Sequence, residues 1–406
     1  MNSHHTSRTP VMSALKTTLI GALLVAVGPI SMSLYTPAMP DIVLAFGTTE
    51  AMVKMTLTLY FAGFAFTQLI CGPLSDGIGR RPVTIAFMGI YLLACIIAVF
   101  APTIEVLLGA RFLQGVGASV GVAISRAMVR DSFSGDRSLR IMNLMGMLLA
   151  VAPAIAPTVG GLTLAISHWR TLFVIMMIMG GAAVWVAVFY QRETITPDFS
   201  RLKPLALLGS YRTLLTNPHF MLISLVIAGS VGAIYTMATV LPFILMDVVG
   251  LSPIAFGVGM VLQTGMYILG AVAVQALLRR VSGHKLAPVG LIFIGVACIL
   301  LLGFLGFSQA SFLNVMGPIG LYAFGVAFVM PAMLTASMEP FPHIAGAASA
   351  MTGFMQMGAG LLGSALVALF ADPVLALMVV IPSMATVAIA AWLCWNRLSP
   401  TDLRSS

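Results

Sequence analysis

Charged residues are sparse along this chain, and the stretches between them are apolar for about the length of a membrane crossing. No charge lies between Lys16 and Asp41, between Lys54 and Asp76, or between Arg81 and Glu105. The run 106–125 holds a single charge, Arg111, and is followed by 141–167, 171–191, 213–246 and 248–278. The stretch 286–338 is too long for one helix and breaks naturally at 308–314; 344–371 and 373–396 complete the series. About 20 apolar residues in a helix cross the hydrocarbon core. Only helices or closed barrels do so, because lipid offers backbone polar groups no partner. The runs are continuous rather than alternating, so the pattern predicts an all-α integral membrane protein with 12 spans.

The longest polar segment, 191–217, separates six runs from six. It predicts a cytoplasmic linker between an N-terminal bundle (17–190) and a C-terminal bundle (218–397), with tails at 1–16 and 398–406. Alternate connections carry Arg80/Arg81, then Arg126, Arg130, Arg137 and Arg140, then Arg192, Arg201, Lys203 and Arg212, then Arg279, Arg280 and Lys285. Lysine and arginine are retained in the cytoplasm, so both termini are expected there. LSDGIGRR at 74–81 is echoed by LRRVSGHK at 278–285, in the equivalent place of the second half. Two pseudo-symmetric six-helix halves are a transporter arrangement.

Composition agrees. The 406 residues are 60% hydrophobic and 8% charged, where soluble domains have about 45–50% and about 25%. The net charge of +8 is spread between the runs and forms no nucleic-acid patch. Cys71, Cys95, Cys298 and Cys394 show no paired spacing and read as small buried hydrophobes. The histidines near span ends, His168, His219, His284 and His343, have no matching carboxylate cluster. No enzyme, metal or cofactor chemistry is therefore expected, and the partners are the bilayer and a small molecule.

Several residues stand out against this background. CGPLSDGIGRRP at 71–82 concentrates three charges. Gly72, Gly77 and Gly79 there suit tight turns, and Asp76 needs a partner, for which Arg126 and Arg130 are the nearest candidates in sequence. Arg111 is the one full charge well inside a span, with Gln114 at i+3 on its face; such a group defaults to a cavity or a partner. Pro153 and Pro157 permit a bend in the fifth span, while Gly160 and Gly161 allow a neighbouring helix to come close. Hydrogen-bonding groups within spans, at Tyr35, Tyr60, Tyr235, Gln263, Tyr267 and Gln356, line a substrate cavity or pack against helix neighbours.

These stretches resemble the major facilitator superfamily across nearly the whole chain. GPLSDGIGRRP (72–82) resembles its signature loop, LLGARFLQGVGA (107–118) its arginine motif, and APAIAPTVGG (152–161) the antiporter motif of its exporters, with Ala152 and Ala156 where glycine is preferred. YTPAMPDI (35–42) and EPFPHIAGAASAMTGF (339–354) resemble the branch of bicyclomycin and chloramphenicol efflux proteins (Bcr/CflA). The resemblance implies a monomeric secondary transporter of the bacterial inner membrane. It would export small amphipathic compounds by alternating access, with protons as the coupling ion. An uptake permease for a metabolite would use the same fold. The resemblance also implies a cytoplasmic latch of Gly72, Asp76, Gly79, Arg80, Arg81, Arg126 and Arg130, with Asp76 docking at the start of the eleventh span (344–349). It places Arg111 and Gln114 at a cavity where protonation is coordinated.

One departure matters. The family's exporters carry an acid in the first span, where this chain has Ser33. No Asp or Glu lies well inside any span; the nearest to serve coupling are Asp41 and Glu105. A buried carboxylate attracts cations and carries the proton, so its loss shifts the expected cargo toward neutral or anionic compounds.

Overall fold

A computed structural model describes residues 11–199, 204–281 and 283–397, and among these no strand occurs. α1 (Ala14–Ser33) passes through a 3₁₀ turn, Thr36–Ala38, into α2 (Met39–Phe46). Next come α3 (Glu50–Ile78), α4 (Arg80–Val99), α5 (Ile104–Ala118), α6 (Val120–Ser132), α7 (Gly135–Ile166) and α8 (Arg170–Phe189). α9 (Pro204–Thr216) lies between the halves. The second half holds α10 (Pro218–Pro242) with a π-helical extension Phe243–Val248, α11 (Pro253–Leu277), α12 (Gly283–Phe307), α13 (Phe312–Met338), α14 (Ala345–Ala368) and α15 (Pro373–Arg397).

Eleven segments among the described residues are long and apolar enough to cross a membrane. α7, with 32 residues, is a further long helix whose described apolar part is the shorter Pro153–Ile166. Polar side chains set the boundaries. Ser13, Thr49, Asn217, Ser252 and Ser311 each accept a hydrogen bond from a backbone N–H three residues on, satisfying donors that the first turn leaves free. Proline follows the cap at Pro218 and Pro253, where its missing N–H costs nothing.

Two hydrophobic cores result. One is built from residues of 12–183, joined by Phe243; the other spans Ile223 to Ala391. Large apolar side chains such as Leu19, Ile178, Leu269 and Ile299 are exposed around the perimeter, as a lipid-facing surface requires. The cores meet along two helix pairs. α3 packs on α14, with Phe66 against Phe354 at 5.6 Å. α7 packs on α11, where Thr158 donates to the Gly257 carbonyl at 3.0 Å. A Cβ on Gly160 would lie 2.5 Å from the Leu34 carbonyl oxygen, and one on Gly161 would collide with that of Pro253. The expected close approach at both glycines is present. Pro153 and Pro157 sit within α7 without ending it.

Three sequence expectations change. The segment 71–78 is not a loop: α3 continues through Gly72, Pro73, Asp76 and Gly77 to Ile78, and the turn is Gly79 alone, at φ 116° and ψ 152°. Gly72 accordingly supports neither a tight turn nor a close approach, since a Cβ there would meet nothing within 4 Å. The stretch read as a linker contains α9, whose Tyr211 hydroxyl donates to the Leu69 carbonyl; burial pushes that phenol up to about 12. Cys71, Cys95 and Cys298 are buried, but Cys394 is exposed, because it lies in the last turns of α15.

Candidate functional site

The most unusual site is built around Arg111. Glycines bring its neighbours in: a Cβ on Gly115 or Gly63 would collide with the backbone of Tyr60 or Phe112, so α3 and α5 run in near backbone contact. Arg111 is then enclosed completely, at 0% exposure. Its guanidinium carbon lies 4.4 Å from the ring centre of Tyr35 and 4.6 Å from that of Tyr60. One terminal nitrogen, Nη1, donates to Gln114 Oε1 at 2.8 Å and to the Ser31 carbonyl at 3.3 Å.

The surrounding hydroxyls turn away from the charge. Thr56 donates to the Val53 carbonyl and so accepts from Tyr35 at 2.8 Å. Tyr60 donates to the Gly28 carbonyl at 2.9 Å. Ser31 donates to the Val27 carbonyl and accepts from Tyr91. Gln114 Nε2 donates to Cys95 Sγ at 3.1 Å. No carboxylate pairs with Arg111 among the described residues, and its Nε and Nη2 have no hydrogen-bond partner. Burying an ion costs several kcal/mol even after relaxation. Two desolvated cation–π contacts, at about 2 kcal/mol each, offset part of this.

Tyr60 leads to the seam. Its neighbour Phe61 stacks on Tyr235 of α10 at 5.6 Å. Tyr235 accepts from Gln356 Nε2 of α14 at 3.0 Å. On the same side Gln263 donates to Met237 Sδ at 3.7 Å, and Tyr267 contacts Met330 Sδ at 3.9 Å. Of these, Tyr235 meets the first half through Phe61, while Gln263 and Tyr267 are held to thioethers of their own half.

At the end carrying the basic connections, Arg80 is the hub. It binds Asp76 at 2.6 Å and Asp131 of α6 at 3.1 Å, and donates to Ser75 at 2.5 Å. Glu193 accepts from the Arg80 and Arg81 backbone N–H groups at 2.9 and 3.0 Å, placing an anion at the positive N-terminus of α4. The Arg81 side chain donates to the Val188 carbonyl at 2.7 Å and the Ala187 carbonyl at 3.4 Å, at the end of α8.

At the opposite end, Lys54 is 1% exposed, paired with Glu50 at 2.9 Å and held 4.8 Å from the Phe243 ring of the other half. Asp247 lies within electrostatic reach of Glu50, Asp41 and Lys54. Asp41 also borders an open cleft of about 390 Å³ lined by Leu44, Ala45, Ser167, His168 and Trp169.

The family model of the Major Facilitator Superfamily matches residues 21–368. The chain belongs to this superfamily. It is 30% identical over 352 residues to multidrug resistance protein D of Escherichia coli, covering 85% of this chain and 87% of that one. It is 27% identical to the multidrug transporter MdfA of Yersinia pestis, with 79% and 78% covered. A chloramphenicol resistance protein of Pseudomonas aeruginosa is 29% identical, with 82% and 79% covered. The crystal structure of a D-xylose–proton symporter shares the fold at a TM-score of 0.73 and 14% identity, covering 97% of this chain and 99% of that one.

Within this superfamily member, several predicted site residues move. Asp76, in the last turn of α3, pairs with Arg80, the first residue of α4, across the Gly79 turn. Arg126 is half-buried and Arg130 exposed, and neither pairs with Asp76 among the described residues. Arg111 and Gln114 are sealed within the first half instead of facing an open cavity. Ser33, Tyr35 and Tyr60 are buried with them, at 6%, 0% and 2% exposure, because the α1 turn and α3 close over the guanidinium. Tyr235, Gln263, Tyr267 and Gln356 lie on the second half. Asp41 is at the opposite-end cleft and Glu105 is exposed in the first turn of α5, so neither pairs with Arg111. Sequence reading missed Asp131 and Glu193, which lie 51 and 113 positions from Arg80. The Glu50/Lys54 pair was open to discovery from its i,i+4 spacing.

Proposed function

We propose that this transporter exports small amphipathic compounds from the bacterial cytoplasm across the inner membrane. It does so as a monomer, by proton antiport, with both termini cytoplasmic and the Arg80-centred network on the inner side. It is further read as a member of the bicyclomycin and chloramphenicol efflux branch, a reading that rests on 35–42 and 339–354. Efflux is favoured because three relatives that cover 79–85% of the chain are named for multidrug resistance, multidrug transport and chloramphenicol resistance.

The observation that carries the mechanism is the pair of unlike contacts between the halves. α3 meets α14 toward the basic end and α7 meets α11 toward the other. The first is the inner gate, packed through Phe66 and Phe354, with the Asp76–Arg80 pair fixing the end of α3 within the first half; the second is the outer gate, packed through Gly160 and Gly161. Alternating access follows when the two gates open in turn about the seam that holds Tyr235 and Gln356.

Everted membrane vesicles containing the protein provide the test, loaded with an acidic lumen and offered fluorescent amphipathic compounds outside. Gradient-dependent accumulation that collapses with a protonophore is expected. Accumulation only in right-side-out vesicles would make the protein an uptake permease.

A further inference from the structure

The Arg111 site is incomplete in a specific way. A guanidinium has two ways to grip a planar two-oxygen anion, and the side-on grip uses Nε and Nη2 together. Those are the two nitrogens without a partner. Nη1 is engaged by Gln114 and Ser31, and both faces are covered by Tyr35 and Tyr60. The edge of the charge left without a partner is therefore the in-plane Nε/Nη2 edge, a fork that matches a carboxylate. The described residues supply none: the near neighbours Ser31, Tyr35, Thr56, Tyr60, Tyr91, Cys95 and Gln114 are all neutral, and each hydroxyl among them that hydrogen-bonds donates elsewhere.

We propose that the Nε/Nη2 edge of Arg111 receives a carboxylate carried by the cargo. The site's occupants are then organic monoanions with an apolar or aromatic body. Tyr60 and Phe61 connect the charge to the seam, where Tyr235, in ring contact with Phe61, offers surface for that body. Deep burial makes the selectivity strong. An anion brought to this edge neutralises a charge that the low-dielectric interior otherwise holds uncompensated, whereas an amine would add a second like charge. Entry requires the halves to part beside Tyr60, so the inference rests on alternating access as proposed above. It adds the charge class of what is carried.

The test uses the full chain in lipid nanodiscs and three probes of one shape: 2-naphthoate, 2-naphthamide and 2-naphthylmethylamine. Binding is read by calorimetry or by protection against thermal unfolding. Naphthoate should bind at least about tenfold more tightly than the amide, about 1.4 kcal/mol, and the amine least. Arg111→Lys keeps a charge but loses the fork and should erase most of the preference. Because a buried arginine can be needed for folding, Gln114→Glu is the companion variant. It is nearly isosteric and sets an internal carboxylate beside Nη1, so the preference should fall about tenfold with the fold retained. Equal binding of all three probes, tightest binding of the amine, or stabilisation by sodium chloride alone as large as by naphthoate would each overturn the proposal. Flux in everted vesicles separates this from the export reading. If export is right and the anion site wrong, the amide or amine is moved and the acid is not. If only export is wrong, naphthoate still binds through Arg111 while no probe is expelled.

Discussion

Replacing Gly79 by alanine probes the turn that joins α3 to α4 and holds the Arg80 network in register. At φ 116° and ψ 152° the residue occupies a region that is nearly exclusive to glycine, and an L side chain there costs about 1–3 kcal/mol in backbone strain. The new Cβ would also lie 2.5 Å from Glu193 Oε2. The carboxylate can swing aside, but it then leaves the Arg80 and Arg81 N–H groups it accepts from at 2.9 and 3.0 Å. Hydrogen bonds to a charged group contribute about 1.5–3 kcal/mol net, so partial loss adds roughly 1–2 kcal/mol. The expected total is about 2–5 kcal/mol, measured by equilibrium unfolding in mixed micelles. A cycle with Glu193→Gln separates the two contributions. If alanine acts partly by expelling the carboxylate, the double variant should be less destabilised than the sum by about 1–2 kcal/mol. A loss under about 0.5 kcal/mol for Gly79→Ala, or strict additivity in the cycle, would refute this reasoning.

Three other perturbations follow from the geometry. Arg80→Lys cannot reach Asp76, Asp131 and Ser75 together, and should cost about 2–4 kcal/mol and abolish transport while membrane insertion, read by surface labelling, is unchanged. Gly161→Val should stop transport, because its side chain would collide with the Pro253 backbone; Gly89→Ala in α4, with nothing within 4 Å, should leave transport intact and stability equal or up to about 1 kcal/mol higher. Lys54→Met removes both the Glu50 pair and the Phe243 contact between the halves. In a Cys394→Ser background it should raise the maleimide reactivity of Ile244→Cys about tenfold, or about 1.4 kcal/mol.

The spans were legible because their signal is one-dimensional: a charge-free run of sufficient length needs no knowledge of neighbours. The small residues were legible for a related reason. Gly160 and Gly161 on a membrane helix have little to offer except close approach, and the structure puts Leu34 and Pro253 against them. Partnerships were not legible where they depended on a boundary. Asp76 sits in the last turn of α3, facing an Arg80 that opens α4, only because the helix survives Pro73 and Gly77, and glycine and proline in sequence argue for the opposite. Glu193 and Asp131 reach Arg80 through tertiary packing that no local pattern encodes. For Arg111 the sequence indicated that a charge must be sheltered; it did not indicate how, since the enclosure is made by Tyr35, Tyr60 and Gln114 from three separate helical segments.

Alternating access between the two gates is tested most directly by measuring both ends in one molecule population. Spin labels on Ile70 and Gly346 report the α3–α14 contact, and labels on Ile166 and Ile254 report the α7–α11 contact. Distance distributions taken across pH and with a transported compound should change reciprocally, one pair separating as the other closes. Distances that lengthen together, or that stay fixed while flux continues, would contradict the mechanism.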